Sequence, residues 1–134
     1  MEPFELKVLG VYTTFYDDEA LQIQLPTVDG LRGILAHHEG AVIGIVPGTI
    51  RIQRPDETWL TAVCDSGFAR VRNNEVRVMV EEILLPSQID ERKERIAMEK
   101  AKDELRQRTS TLEYHRAEAL LQRTMARLGA IGKH

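Results

Sequence analysis

The chain of 134 residues has no proline after Pro86, although five prolines occur up to that point. Proline removes a backbone donor and clashes with the preceding turn, so only proline-free sequence can run as long helix. Glycine follows the same divide: seven of the nine fall in residues 1–86, and only Gly129 and Gly132 come later. The single cysteine, Cys64, excludes an internal disulfide and fits a reducing compartment. Long apolar runs are also missing. The longest uncharged stretch, Gly40 to Ile50, has 11 residues and contains Pro47, whereas a spanning helix needs roughly 20 apolar residues. The opening Met1-Glu2-Pro3-Phe4-Glu5 is acidic, where a secretory signal is basic and then apolar, so no signal is expected.

These absences divide the chain at Pro86. Residues 1–86 are enough for a β domain with a modest core of its own, while the 48 residues of 87–134 bury little alone. The halves differ in charge. Residues 1–86 carry 7 Lys+Arg against 13 Asp+Glu, a net −6; residues 87–134 carry 11 against 8, a net +3. An acidic domain is repelled by nucleic acid, whose binding rests on neutralised phosphates. The basic excess of the second half favours either an acidic protein surface or a nucleotide, or else a plain solvated helix face.

Strands show as alternation of apolar and polar side chains. Phe4, Leu6 and Val8 alternate with Glu5 and Lys7. The same pattern holds for Leu21, Ile23 and Leu25, for Ile50 and Ile52, and for Val76, Val78 and Val80. Ala41 to Val46 is apolar throughout, as a strand buried on both faces is. Trp59–Cys64 and Phe68–Val71 supply two more strands, and Asp17-Asp18-Glu19 reads as a solvated loop. Thr27-Val28-Asp29-Gly30, Pro47-Gly48, Arg54-Pro55-Asp56, Asp65-Ser66-Gly67 and Asn73-Asn74 carry turn chemistry. Eight to ten short strands at this spacing predict an antiparallel β-sandwich or flattened barrel.

In the second half, Ser87-Gln88-Ile89-Asp90 and Ser110-Thr111-Leu112-Glu113 fit capping boxes, which satisfy free N–H groups at helix starts. The first helix runs to about Arg108 with a thin apolar stripe of Ile89, Ile96, Ala97, Ala101 and Leu105. The second carries Leu112, Ala117, Leu120, Leu121, Thr124, Met125 and Leu128 on one face and stops near Gly129. The loop of about Gln107 to Ser110 is short enough for an antiparallel two-helix hairpin. Together the halves give an α+β chain: a β-sandwich of residues 1–86 and a helical hairpin of residues 87–134. Two narrow stripes at about 25 cal/mol per Å² make the hairpin's seat marginal, hence switchable.

No catalytic set emerges. Gly30-Leu31-Arg32-Gly33 lacks the Gly-Lys-Ser/Thr and the strand-to-helix context of a phosphate loop, so its glycines read as turn residues. In His37-His38-Glu39, adjacent side chains of extended backbone point to opposite faces, which makes joint metal ligation awkward; an interface or turn role fits better. Cys64, with no histidine near it in sequence, reads as a buried structural thiol.

The ordered set of segments resembles the epsilon subunit family of F-type ATP synthases, called delta in mitochondria. Phe4-Glu5-Leu6-Lys7-Val8 with Val11 to Phe15 is similar to the family's opening hairpin. Pro26-Thr27-Val28-Asp29-Gly30-Leu31-Arg32-Gly33-Ile34-Leu35 followed by His38 is similar to its most recognisable stretch. Pro47-Gly48-Thr49-Ile50-Arg51-Ile52 and Ser66-Gly67-Phe68-Ala69-Arg70-Val71 match later turns and strands. Ile89-Asp90 opens the family's first helix, and Glu113-Tyr114 with the Ala-rich run to Leu128 its second.

The resemblance implies a rotor subunit without a catalytic site or a required cofactor. Its sandwich clamps the foot of the gamma shaft and sits on the polar loops of the membrane c-ring, peripheral to the cytoplasmic side of a bacterial plasma membrane. Gly30, Leu31, Arg32, Gly33 and His38 are then the residues toward gamma and the c-ring. Its helices take compact or extended states, and the extended state inhibits ATP hydrolysis. Arg116, Arg123 and Arg127, spaced by seven and four on one side of the second helix, are then the contacts to the alpha/beta catalytic ring. Some members bind ATP on the folded helices through an Ile/Leu-Asp-x-x-Arg-Ala motif, which transfers to Asp90 and Lys93 here, with Arg123 and Arg127 as basic partners. This chain departs from the pattern: Lys93 stands for the arginine, Glu94 for the alanine, Leu31 where the family often has glutamate, and Glu39-Gly40 where Ala-Pro is common. Two other classes stay open on the residues alone: a nucleotide-sensing regulator, and a sandwich and coiled-coil adaptor outside any rotary motor.

Overall fold

The computed structural model describes residues 1–107 and 110–132. The sequence's strand alternation becomes ten strands: β1 (Phe4–Leu9), β2 (Thr14–Ala20), β3 (Gln22–Thr27), β4 (Gly30–Leu35), β5 (Ala41–Ile45), β6 (Gly48–Gln53), β7 (Trp59–Cys64), β8 (Gly67–Arg72), β9 (Glu75–Val80) and β10 (Ile83–Leu84). A single 3-10 turn over Pro86–Gln88 leads to α1 (Glu91–Gln107) and α2 (Thr111–Ala130).

The strands form two five-stranded sheets. The first has the order β2-β1-β9-β8-β5 and the second β10-β7-β6-β3-β4. Their inner faces share one core, in which Phe4, Leu6, Ile23, Leu25, Ile50, Ile52 and Val78 are sealed from solvent. The sandwich is therefore as the alternation predicts, except that β1 and β9 run parallel. The chain's first strand closes beside its ninth, a pairing that no local turn signals.

Three readings of the strands need correction. The apolar run of Ala41–Val46 predicts a strand covered on both faces, but β5 is an edge strand whose Val42 is 73% exposed. Asp17, Asp18 and Glu19 lie in β2, the other edge of that sheet, rather than in a loop. Gly33 lies within β4 rather than at a turn. Asn73 and Asn74 do turn the chain between β8 and β9, with φ of 52° and 60°, a left-handed conformation asparagine tolerates.

Cys64 is buried, and burial pushes its thiol up to about 12. A thiol held protonated is a poor nucleophile. In the native protein at pH 8 a thiol reagent should leave Cys64 unmodified, with full labelling appearing only in denaturant. Rapid labelling of the native chain would contradict this placement.

The helices pack on the second sheet, α2 lying against β6 and β7. Val63, between core-facing Ala62 and Cys64, points outward and is nonetheless buried. The hairpin is antiparallel, since Glu94 near the start of α1 meets Arg127 near the end of α2. The first helix start departs from the sequence reading. Ser87 belongs to the 3-10 turn, and α1 begins after Asp90, whose carboxylate accepts the Lys93 N–H at 3.2 Å. Ser110 caps α2 as its motif predicts, its hydroxyl accepting the Glu113 N–H at 3.1 Å. Arg108, where the first helix was expected to end, and Thr109 of the connecting loop lie outside the described residues.

Candidate functional site

Two surfaces carry the residues that the sequence singles out. The first is the β3–β4 hairpin. Thr27 clasps its turn: the hydroxyl donates to the Gly30 carbonyl at 2.7 Å and accepts the Asp29 N–H at 3.2 Å. Gly30 has φ +105°, which a side chain resists, so glycine is required there. Beside this rigid tip Val28 is 85% and Leu31 69% exposed, with Arg32 and Gly33 exposed next to them. Paired apolar side chains held out on a stiff turn mark a contact surface.

The structure brings Gly30, Leu31, Arg32 and Gly33 together but sets His38 apart. His38 follows the far end of β4, about 17 Å away for five strand residues. Its Nδ1 meets the Glu39 carbonyl at 2.7 Å. His37 turns to a different partner, Glu2, so the two imidazoles do not converge.

The second surface is the seam between the helical pair and the sandwich. Arg127 is its centre. The guanidinium donates to Glu94 Oε1 of α1 at 3.1 Å and to Glu82 Oε2, beside β10, at 2.9 Å. Asp65 Oδ2, at the end of β7, lies 3.6 Å away. Arg127, Glu94 and Asp65 are all buried. One cation thus ties both helices to one end of the β7–β10 pairing, where Asp65 and Glu82 are neighbours. Burial alone would lower the affinity of Arg127 for its proton, but its hydrogen bond to Glu94 and the charge of Asp65 reverse this and raise it. Burial pushes the Asp65 carboxyl above its usual range, with Arg127 and then Arg123 pulling it back.

The seam revises the helix faces. Glu94 shares a face with Ala97, Ala101 and Leu105, at spacings of three, seven and eleven, and Glu94 and Ala101 are buried. Ile96, which the stripe predicts to be inside, is 66% exposed. On α2, Ala117, Thr124 and Leu128 are buried as expected, but Leu112 and Met125 are exposed. The arginine row is unequally covered: Arg116 is exposed, Arg123 half-buried and Arg127 buried. Spacings of seven and four keep the three on similar sides of the helix, and burial rises along its axis toward the end that meets the sandwich.

The four residues transferred from the nucleotide motif fall at the start of α1 and near the end of α2, the two places that the Glu94–Arg127 contact joins. Asp90 and Lys93 lie exposed at the start of α1, with Asp90 committed to capping. Arg123 and Arg127 are neighbours near Asp65. Arg127 already donates to two carboxylates, and Glu94 carries a second oxygen that is buried without a partner. A polyphosphate placed here would meet Glu94, Glu82 and Asp65 together, so these surroundings do not suit one.

The fold and the seam define a class: a β-sandwich bearing a helical hairpin that docks through charge. The family model for the ATP synthase delta/epsilon chain β-sandwich domain matches residues 3–86, and that for its long α-helix domain matches residues 87–132. The chain belongs to the ATP synthase delta/epsilon family, whose members are stalk subunits of that complex. An ATP synthase epsilon chain of Caldicellulosiruptor bescii is 35% identical over 128 residues, covering 96% of this chain and 93% of the relative. A chloroplastic epsilon chain of Agrostis stolonifera is 34% identical over 126 residues, covering 94% and 92%. The fold is similar to a chain in the cryo-EM structure of Euglena gracilis mitochondrial ATP synthase, with a TM-score of 0.83 at 22% identity over 96% of this chain and 81% of that one.

Proposed function

We propose that this chain is the docking and regulatory subunit of a rotary stalk. Its sandwich couples the c-ring to the gamma shaft, and its helical pair restrains ATP hydrolysis by leaving the sandwich. The docking part rests on the exposed β3–β4 tip. It is supported by the structural neighbours, which come from assemblies of the rotor: F1 with the c-ring in Euglena gracilis, and the central stalk with the c-ring in Tetrahymena thermophila. No described helix is long and apolar enough to cross a membrane. This accords with a peripheral subunit, which we place on the cytoplasmic side of a bacterial membrane.

The observation that carries the regulatory part is the buried Arg127 seam. An apolar seat loses its stabilisation in full when opened. A seat built on charge recovers much of the loss by hydration, because burying ions is itself expensive. The compact state is thus held, yet close in energy to an open one. In this reading Glu94 makes a bound nucleotide unnecessary for compaction. Arg116 and Arg123, with Arg127 once released, face the acidic loops of the catalytic ring in the open state. Calorimetric titration of the full chain with ATP should show no binding; a stoichiometric heat would restore the nucleotide site.

The docking part has its own test. Replacing Val28 and Leu31 with serine removes two apolar side chains from the tip without touching the core. Affinity for c-ring-bearing membranes should fall about tenfold, for a loss of about 1–2 kcal/mol. ATP hydrolysis by the soluble sector should be unchanged. Unaltered membrane affinity would move the c-ring contact elsewhere.

A further inference from the structure

We propose that the outer face of the first sheet is a docking surface for an acidic amphipathic helix of a partner protein. The helices cover the second sheet, and the corresponding face of the first is open. Its residues line up across the strands in three rows. Lys7 of β1 lies opposite Arg77 of β9, which lies opposite Arg70 of β8. This is a row of three cations on adjacent strands, although like charges placed directly opposite destabilise a sheet. Arg70 and Arg77 are exposed and form no ion pair among the described residues, while Lys7 reaches only Asp17, at 4.0 Å. Such a row in a domain of net charge −6 is a local reversal of sign.

The neighbouring rows narrow the partner. Two residues along the strands, Leu9, Met79 and Phe68 form an apolar row in the same register, with Phe68 exposed. On the edge strand β5 that row ends at Gly44, while exposed Val42 stands opposite Arg70 at the end of the basic row. On the other side Glu19, Glu5 and Glu75 form a row of three carboxylates that ends on exposed Arg72 of β8. A uniformly charged polyanion, such as nucleic acid or an anionic lipid surface, would meet that acidic row as well as the basic one. A helix avoids it. Adjacent strands are about 4.8 Å apart, close to the roughly 5–6 Å between side chains one helical turn apart. Two carboxylates at that spacing therefore match two cations of the row. The rows are about 6.6 Å apart along the strands, and a helix about 10 Å wide lying across the strands covers both the basic and the apolar one.

This surface is separate from the β3–β4 tip, and the inference rests on the proposed place of the chain in a rotary stalk. The test is binding of the full chain to the soluble ATPase sector stripped of its own epsilon chain, with and without added salt. Arg70→Ser combined with Arg77→Ser should weaken binding about tenfold and flatten its salt dependence, with no drop in thermal midpoint. Unchanged affinity and salt dependence, in a system where the parent chain binds, would overturn the surface and leave the stalk reading standing. Failure of the parent chain to bind would overturn both. Loss of binding to phosphatidylglycerol vesicles with undiminished binding to the sector would assign the row to lipid and overturn the helix.

Discussion

Replacing Arg127 with methionine releases the helical pair from the sandwich. Methionine keeps most of the volume of the stem, so the packing beside Leu128 survives while the charge is lost. Asp65 and Glu94 are then buried without their counter-ion. Removing one partner of a buried ion pair costs about 3–5 kcal/mol, several times what an exposed pair is worth. The sandwich core contains none of these groups, so the cost falls on the seat of the hairpin and is relieved by opening it. Amide exchange along α2 should accelerate by about a hundredfold or more, at about 1.4 kcal/mol per tenfold. Exchange in β3, β6 and β9 should not change. Protection of α2 within threefold of the parent would show that the apolar contacts of Ala117, Thr124 and Leu128 hold the hairpin without the charge.

The second large effect concerns the sandwich. At Gly67 an added Cβ would lie 2.0 Å from the Met79 carbonyl oxygen and 2.7 Å from the Val80 Cα. Both obstacles are backbone, so no side chain can swing aside. Gly67 is paired with Val80 where β8 meets β9, and alanine there must part the two strands. Overpacking costs about 1–3 kcal/mol and occasionally more. Backbone against backbone belongs at the upper end, which for a domain of this size is a fall of about 12–24 °C in thermal midpoint. Gly33→Ala is the control, because nothing lies within 4 Å of its added carbon and its φ is ordinary. It should melt with the parent. A Gly67→Ala midpoint within about 3 °C of the parent would show that the β8–β9 pair yields more freely than its geometry implies.

What the sequence conveys is uneven, for physical reasons. Strands with one face in the core announce themselves: Phe4, Leu6 and Val8, or Val76, Val78 and Val80, alternate in sequence and are buried. Edge strands do not. β2 is polar along most of its length because an edge is wetted on more sides, and Asp17 to Glu19 therefore pass for a loop. β5 misleads in the opposite sense. Its exposed Val42 continues an apolar run, and sequence alone does not tell an exposed edge from a second buried face. The β3–β4 tip is legible because Gly30 and Thr27 act locally. The Arg127 seam is not. Asp65 and Arg127 are 62 positions apart, and a charged residue is read as solvated until its partner is known. One signal for Glu94 did exist, its spacing to Ala97, Ala101 and Leu105, which places it on the apolar face of α1.

The central claim is that charge in this seam sets the balance between a compact, permissive state and an open, inhibitory one. Glu94→Lys tests it most directly. The substitution sets a second cation against Arg127 while leaving Arg116, Arg123 and Arg127 in place for contacts in the open state. The measurement is the rate of ATP hydrolysis by a complex stripped of its epsilon chain and reconstituted with either protein. Hydrolysis with Glu94→Lys should be slower than with the parent chain and should recover in added salt, since the open state's exposed contacts are screened. A rate equal to or above that of the parent, at matched occupancy of the complex, would contradict the account.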